Sequence, residues 1–166
     1  MLSVYPECGW GMGGLVVLGR VDFVDKYRVL VGVHLVLLDG DGRVLLGRRR
    51  DTGFGDGLFH VPAGHLEAGE SAVAALIREA REEVGVDIDA GDVEFAHVLH
   101  SAERVQIFFT VRRWRGAVTN CEPEKCSELR WFDVVALPTE IVEYCRVGLG
   151  SVLSGRAFSE FGWQDA

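Results

Sequence analysis

The chain reads as an α/β protein in which strands, a helix, further strands and a last helix follow one another. Three observations carry that reading. Residues 28–46 form an apolar strand-turn-strand run, residues between Ser71 and Gly85 form an amphipathic helix, and residues from Leu137 onward form a second helix with an apolar stripe. That order fits an α+β fold or a three-layer α/β/α sandwich with a mixed sheet.

Residues 1–26 hold several glycines, one short apolar run (Leu15 to Leu18) and no clear period, which suits an N-terminal arm, an edge strand or part of a dimer contact. The main domain is expected over 27–150. Arg28 to Leu38 is rich in Val and Leu, Asp39-Gly40-Asp41-Gly42 is a turn, and Arg43 to Leu46 is apolar again, so the segment predicts a β-hairpin. Gly47-Arg48-Arg49-Arg50 follows, the densest positive charge in the chain, and then a glycine-punctuated loop over 51–57. Within the central helix Val73, Leu76, Ile77, Ala80 and Val84 make one apolar stripe, with Ser71 near its entry and Gly85 as a left-handed stop. Val93 to Leu99 and Arg104 to Trp114 read as strands. In the second, Val105, Ile107 and Phe109 point one way and Gln106, Phe108 and Thr110 the other. A polar connection over 116–125 leads to a short aromatic strand at 129–132. In the last helix, predicted to open at Leu137-Pro138-Thr139-Glu140, the stripe is supplied by Ile141, Val142, Tyr144, Cys145, Val147 and Leu149. The tail, 151–166, carries Phe158, Phe161 and Trp163, aromatics that predict packing on the domain or on a partner.

At about 100° of rotation per residue, Glu79, Glu82 and Glu83 project together from a face other than the apolar stripe. Three carboxylates so close require a cationic partner at neutral pH. Arg78 and Arg81 could supply it on a solvated surface. Alternatively, three hard oxygen donors on a rigid helix suit Mg²⁺ or Mn²⁺, ions that also take up phosphate oxygens. Ala72 and Ala75, near the same face, leave room.

Composition narrows the partners. A net charge of -8 repels long nucleic acid and anionic membranes, so a polyanionic substrate must be drawn in locally. The four cysteines lack the spacing of a zinc site and read as reduced thiols. The apolar run near the N-terminus is too short for a signal peptide or a membrane span, so a cytoplasmic location is expected.

Gly64, Glu70, Arg78, Glu79, Glu82, Glu83 and Gly85 stand at the spacing G-x5-E-x7-R-E-x-x-E-E-x-G, followed by aliphatic Val86. The stretch resembles the Nudix box at every defined position. The resemblance implies the three-layer sandwich, with the box as a loop-helix-loop beside a mixed sheet. It implies that Glu79 and Glu83 ligate the metal together with the Gly64 carbonyl, and that Glu82 contributes ligation or proton abstraction, with Glu83 the rival for the base. Arg78 is assigned to the catalytic apparatus or, with Glu70, to a scaffold pair fixing the loop against the helix. The segments Leu46 to Arg50, Pro62 to Glu67 and Asn120 to Cys126 before Trp131-Phe132 are similar to the MutT-like cytosolic nucleotide diphosphatases, which are commonly dimers. That similarity matches Arg49 to a phosphate-binding arginine and Gln106 to a base-facing strand residue. Phe108 is expected to stack a base or to line an apolar slot. Ala63 stands where that branch usually has a second glycine, which predicts a narrower loop.

The function these residues imply is Mg²⁺-dependent hydrolysis of a diphosphate bond in a nucleoside triphosphate, canonical or modified, releasing a nucleoside monophosphate and pyrophosphate. The alternatives are hydrolysis of another X-linked diphosphate (a nucleotide sugar, ADP-ribose, a prenyl diphosphate or an RNA 5′ end) and a non-catalytic nucleotide-binding domain. The partner is a small nucleotide or other diphosphate, with a homodimer implied by the branch.

Overall fold

A computed structural model describes residues 27–163, so the expectations for 1–26 lie outside the described residues. The elements are β1 (Leu30–Leu37), β2 (Arg43–Arg49), β3 (Phe59–His60), β4 (Ala63–His65), α1 (Ala72–Val84), β5 (Val93–His100), β6 (Arg104–Val111), β7 (Cys126–Asp133), α2 (Glu143–Leu153) and β8 (Phe158–Glu160). They build a five-stranded mixed sheet in the order β4-β1-β6-β5-β8 and a three-stranded sheet in the order β3-β2-β7. β1 runs parallel to β6, and β5 parallel to β8.

Period-two alternation along β1 and β6 creates the layers. Val33, Leu35 and Leu37 of β1 and Ile107, Phe109 and Val111 of β6 pack with Leu76, Ala80 and Val84 of α1. Val36 and Phe108, from the opposite face, pack with Cys145 and Leu149 of α2. A helix therefore covers each face of the central strands, and the chain forms the α/β/α sandwich. Gly148 of α2 lets Phe108 in, since a Cβ there would lie 2.2 Å from the Phe108 Cζ.

Three local expectations are corrected. Residues 28–46 reverse direction as predicted, with the Asp39 carboxylate accepting from the backbone of Asp41 and Arg43, but they do not form a regular hairpin. Beyond the Leu38–Val44 bridge the two strands diverge into different sheets, because β6 and β4 occupy both edges of β1. The last helix begins at Glu143, later than 137–140, because the backbone of Glu140 to Val142 pairs with Phe59 in extended form. It also runs to Leu153, past the boundary at 150.

α1 starts on Ser71, whose side chain accepts from the Ala74 amide, and stops at Gly85 in the left-handed conformation (φ 69°). The tail returns to its own domain. β8 pairs with β5, and the Trp163 Nε1 donates to the His100 carbonyl. His97 fixes it further, its two ring nitrogens bonded to the Arg156 carbonyl and the Ser159 hydroxyl.

Candidate active site

β4, α1 and the connection into β7 enclose a cavity of about 400 Å³ lined by Gly64, Glu79, Glu82, Glu83, Glu122 and Lys125, among others. The geometry begins at Gly64. A Cβ there would lie 1.8 Å from the Glu79 Oε1, so this backbone position admits the carboxylate only because it is glycine. Glu83 is held from the same strand, its Oε2 accepting from the Ala63 amide at 2.9 Å. Ala63 is extended backbone paired with His34, a conformation that alanine adopts freely, so its methyl group does not distort the turn into Gly64.

Electrostatics divide the three glutamates. Burial, augmented by the charges of Glu79 and Glu122, pushes the Glu83 carboxyl up to about 8, against the Ala63 hydrogen bond that lowers it. Arg78 meets the other two, at 2.6 Å from Glu79 and 3.0 Å from Glu82, and also pairs with Glu70 at 2.8 Å. Its guanidinium further donates to the His65 carbonyl, so a single side chain joins the loop before α1 to the acidic face of α1. These bonds, first to Glu70 and then to Glu79, hold its proton more tightly still. The Glu70 carboxylate, lowered chiefly by Arg78, also accepts from the Glu67 amide and so closes the loop.

Glu79 and Glu82 therefore turn to Arg78 and Glu83 to the Ala63 amide, and among the described residues no three His, Cys, Asp or Glu side chains are arranged to share one metal ion. The donor chemistry nevertheless suits a hard divalent cation. Every donor facing the cavity from α1 and Gly64 is an oxygen, Glu83 and Glu79 repel one another, and the missing Cβ of Gly64 leaves its backbone open to the same space.

A second cavity of about 550 Å³ adjoins the first, sharing Arg49, Thr52, His60, Ala63, Gly64 and His65 with it. Arg49 is held there by hydrogen bonds from its Nε to the Phe54 carbonyl (2.7 Å) and from its guanidinium to the Thr52 hydroxyl (3.1 Å). Its neighbours serve other ends. Arg48 pairs with Glu128 at 3.0 Å and lies over the Phe59 ring, and Arg50 meets Asp51 at the surface. Gln106 also lines the second cavity, in space left by Gly32, whose Cβ would lie 2.3 Å from the Gln106 Oε1.

Phe108 does not line this cavity. Its ring is 0% exposed and stacks beneath His34 at 4.5 Å, so it supports the floor and cannot stack a ligand in this structure. Cavity-lining side chains that the sequence did not assign to the site include Glu122, His34, His60, Phe54, Arg104 and Tyr144, the last read there as part of the apolar stripe of the final helix. Glu122 was legible as part of the segment before β7. A lone histidine within the valine-rich β1 was the only other signal, because the remaining residues meet through long-range contacts.

A family model described as "NUDIX domain" matches residues 28–144. Among curated proteins, "NAD-capped RNA hydrolase NudC" of Stutzerimonas stutzeri is 30% identical over 115 residues, covering 69% of this chain and 41% of that protein. "Oxidized purine nucleoside triphosphate hydrolase" of Danio rerio is 32% identical over 110 residues, covering 63% and 67%. "CTP pyrophosphohydrolase" of Escherichia coli is 30% identical over 76 residues, covering 46% and 56%. The match thus spans less than two thirds of two of these three relatives. Among solved structures, a MutT NUDIX hydrolase from Burkholderia pseudomallei superposes with a TM-score of 0.69 at 24% identity, covering 76% of this chain and 99% of that one. At that identity the likeness shows the fold.

Proposed function

This chain belongs to the NUDIX domain family, and from that premise we propose that it hydrolyses a diphosphate bond in a nucleoside triphosphate, releasing the nucleoside monophosphate and pyrophosphate. The observation that carries the reading is the junction of two cavities. One is walled by Glu79, Glu82, Glu83 and Glu122, the other is lined by polar and aromatic side chains, and Arg49 stands where they meet. A diphosphate seated at that junction would have one end among the acidic groups and the group it carries in the second cavity.

Glu79, Glu83 and the Gly64 carbonyl, with Glu82, would hold Mg²⁺ or Mn²⁺. When bound, such an ion supplies neutralisation of the diphosphate charge and acidification of water near neutral pH. The chain's own residues do the rest. Arg49 binds a phosphate oxygen, Glu82 or Glu83 accepts the proton of the attacking water, and Arg78 orients the carboxylates of α1 while anchoring the loop through Glu70. The water oxygen forms the new bond to phosphorus, and the bond to the bridging oxygen breaks with pyrophosphate as leaving group.

The described residues contain no helix long and apolar enough to cross a membrane. A cytoplasmic location and a homodimer go with this reading. Fractionation would test the first, and light scattering the second.

The decisive experiment incubates the protein and Mg²⁺ with canonical and oxidised nucleoside triphosphates, nucleotide sugars, ADP-ribose, a prenyl diphosphate and a 5′-triphosphate RNA, with Glu83→Gln as blank. A preference in kcat/KM for nucleoside triphosphates that is lost in the blank supports the proposal. Turnover of a sugar or prenyl diphosphate alone would reassign the second cavity. Tight binding without turnover of any substrate would make the domain a binding module.

A further inference from the structure

The second cavity contains hydrogen-bonding groups whose polarity is fixed by two buried histidines. His60 sits with its Nδ1 against the Val61 carbonyl and its Nε2 2.6 Å from the Tyr144 hydroxyl. A carbonyl only accepts, so Nδ1 carries the proton and the neutral ring offers a lone pair at Nε2. Burial holds His60 well below its usual range and so disfavours the imidazolium, and burial pushes the Tyr144 phenol up to about 12. Tyr144 therefore gives its proton to His60 and has only oxygen lone pairs left for the cavity.

His34 works in the same manner on the sheet side. Its Nε2 lies 2.7 Å from the Gln106 Oε1, so Nε2 donates and Nδ1 is an unprotonated, buried nitrogen with no partner among the described residues. The reverse assignment would bury an unpaired N–H, the costlier defect. With its carbonyl committed to His34, Gln106 directs its amide NH₂ elsewhere. That nitrogen donates to no group among the described residues, although the side chain is 4% exposed and lines the cavity.

We propose that the second cavity reads its ligand with fixed polarity, through a donor at the Gln106 amide and an acceptor at the Tyr144 oxygen, with His34 and His60 as the positioning residues. The inference rests on the diphosphate hydrolase reading and specifies the group that the diphosphate carries. That group is a planar heterocycle presenting both an acceptor and a donor, not a hydrocarbon chain. A hydrocarbon would desolvate the Gln106 amide and the Tyr144 lone pairs without replacing their hydrogen bonds. A flat ring also suits the walls. Phe54 and Tyr144 stand with centroids 6.4 Å apart and planes 25° from parallel, and Phe161 of the tail adds a third ring.

The test needs binding and no turnover. The probes are α,β-methylene triphosphates of guanosine and adenosine, a methylene analogue of a prenyl diphosphate, and methylenediphosphonate. Tyr144→Phe should weaken both nucleotides about tenfold, the scale of one lost hydrogen bond, and leave methylenediphosphonate unchanged. Gln106→Glu, which replaces a donor by an acceptor, should move the preference between the 6-oxo and 6-amino bases toward the amino base by at least about tenfold. His60→Phe should weaken the nucleotides as Tyr144→Phe does, and the double variant should add nothing further. Nitrogen NMR of labelled histidine should find the proton on Nδ1 of His60 and on Nε2 of His34. The opposite tautomers, equal weakening of all probes, no weakening, or tighter binding of the prenyl analogue by wild type would overturn the proposal. Failure of the hydrolase reading is distinguishable, because it removes turnover with Mg²⁺ and leaves these binding ratios intact.

Discussion

Glu83→Gln should stabilise the metal-free protein while abolishing its activity. Burial is the main reason that the Glu83 carboxyl rises from 4.5 to about 8, with Glu79 and Glu122 adding to it and the Ala63 amide opposing it. Below the lower value, folded and unfolded chains both carry the proton, and ionisation costs nothing. Between the two values the unfolded chain releases it and the folded chain keeps it. The folded state then binds more protons, so stability falls as pH rises, by about 1.4 kcal/mol per pH unit. The loss reaches about 3 kcal/mol at pH 7 and about 5 kcal/mol above pH 8, as an upper bound. Glutamine does not ionise, and its amide oxygen can still accept from Ala63. Urea denaturation in EDTA at pH 5, 7 and 8.5 should therefore show Glu83→Gln gaining stability relative to wild type across the series, since every other titrating group is common to the two proteins, and the gap should narrow when Mg²⁺ is added. Turnover of the variant should drop by at least about a hundredfold. Parallel stability profiles for the two proteins would refute the argument that burial holds a proton on Glu83.

Three further outcomes are expected. Arg49→Ala should raise KM more than it lowers kcat, since the guanidinium lines both cavities and binds a phosphate oxygen in the proposed reading; steady-state kinetics with an unchanged KM would contradict it. Gly148→Ala adds a methyl group 2.2 Å from the Phe108 ring. Helix propensity favours alanine by about 1 kcal/mol, but overpacking a closed core costs about 1–3 kcal/mol, so the melting temperature should fall, and a rise would show that the ring yields. His34, which burial lowers to about 4, should weaken the fold on the acid side: the unfolded chain takes up a proton below about 6.5 that the folded chain refuses until about 4. His34 by itself contributes a loss of about 3 kcal/mol over that window, to be read as wild type losing that much stability relative to His34→Asn in denaturation measured from pH 7 to 4.

Sequence alone determined the frame and half of the site. The stripe from Val73 to Val84, the Ser71 cap and the Gly85 stop are local signals, readable because a helix repeats its contacts every three to four residues. The same regularity set Glu79, Glu82 and Glu83 on one face, and the alternation in Arg104 to Trp114 sorted Ile107 and Phe109 from Gln106 and Phe108. What period two could not tell is which residue of the second face reaches a cavity. Gln106 does, because Gly32 on the neighbouring strand leaves it room, whereas Phe108 is sealed beneath His34 and against Gly148. Strand pairing was equally hidden, since 28–46 looks like a hairpin until β6 and β4 take the edges of β1. Only the tertiary structure brought His34, His60, Gln106 and Tyr144 together. The hydrogen-bonded pairs His34–Gln106 and His60–Tyr144 are 72 and 84 positions apart in the chain, and hydrogen bonds between such distant residues leave no period in the sequence.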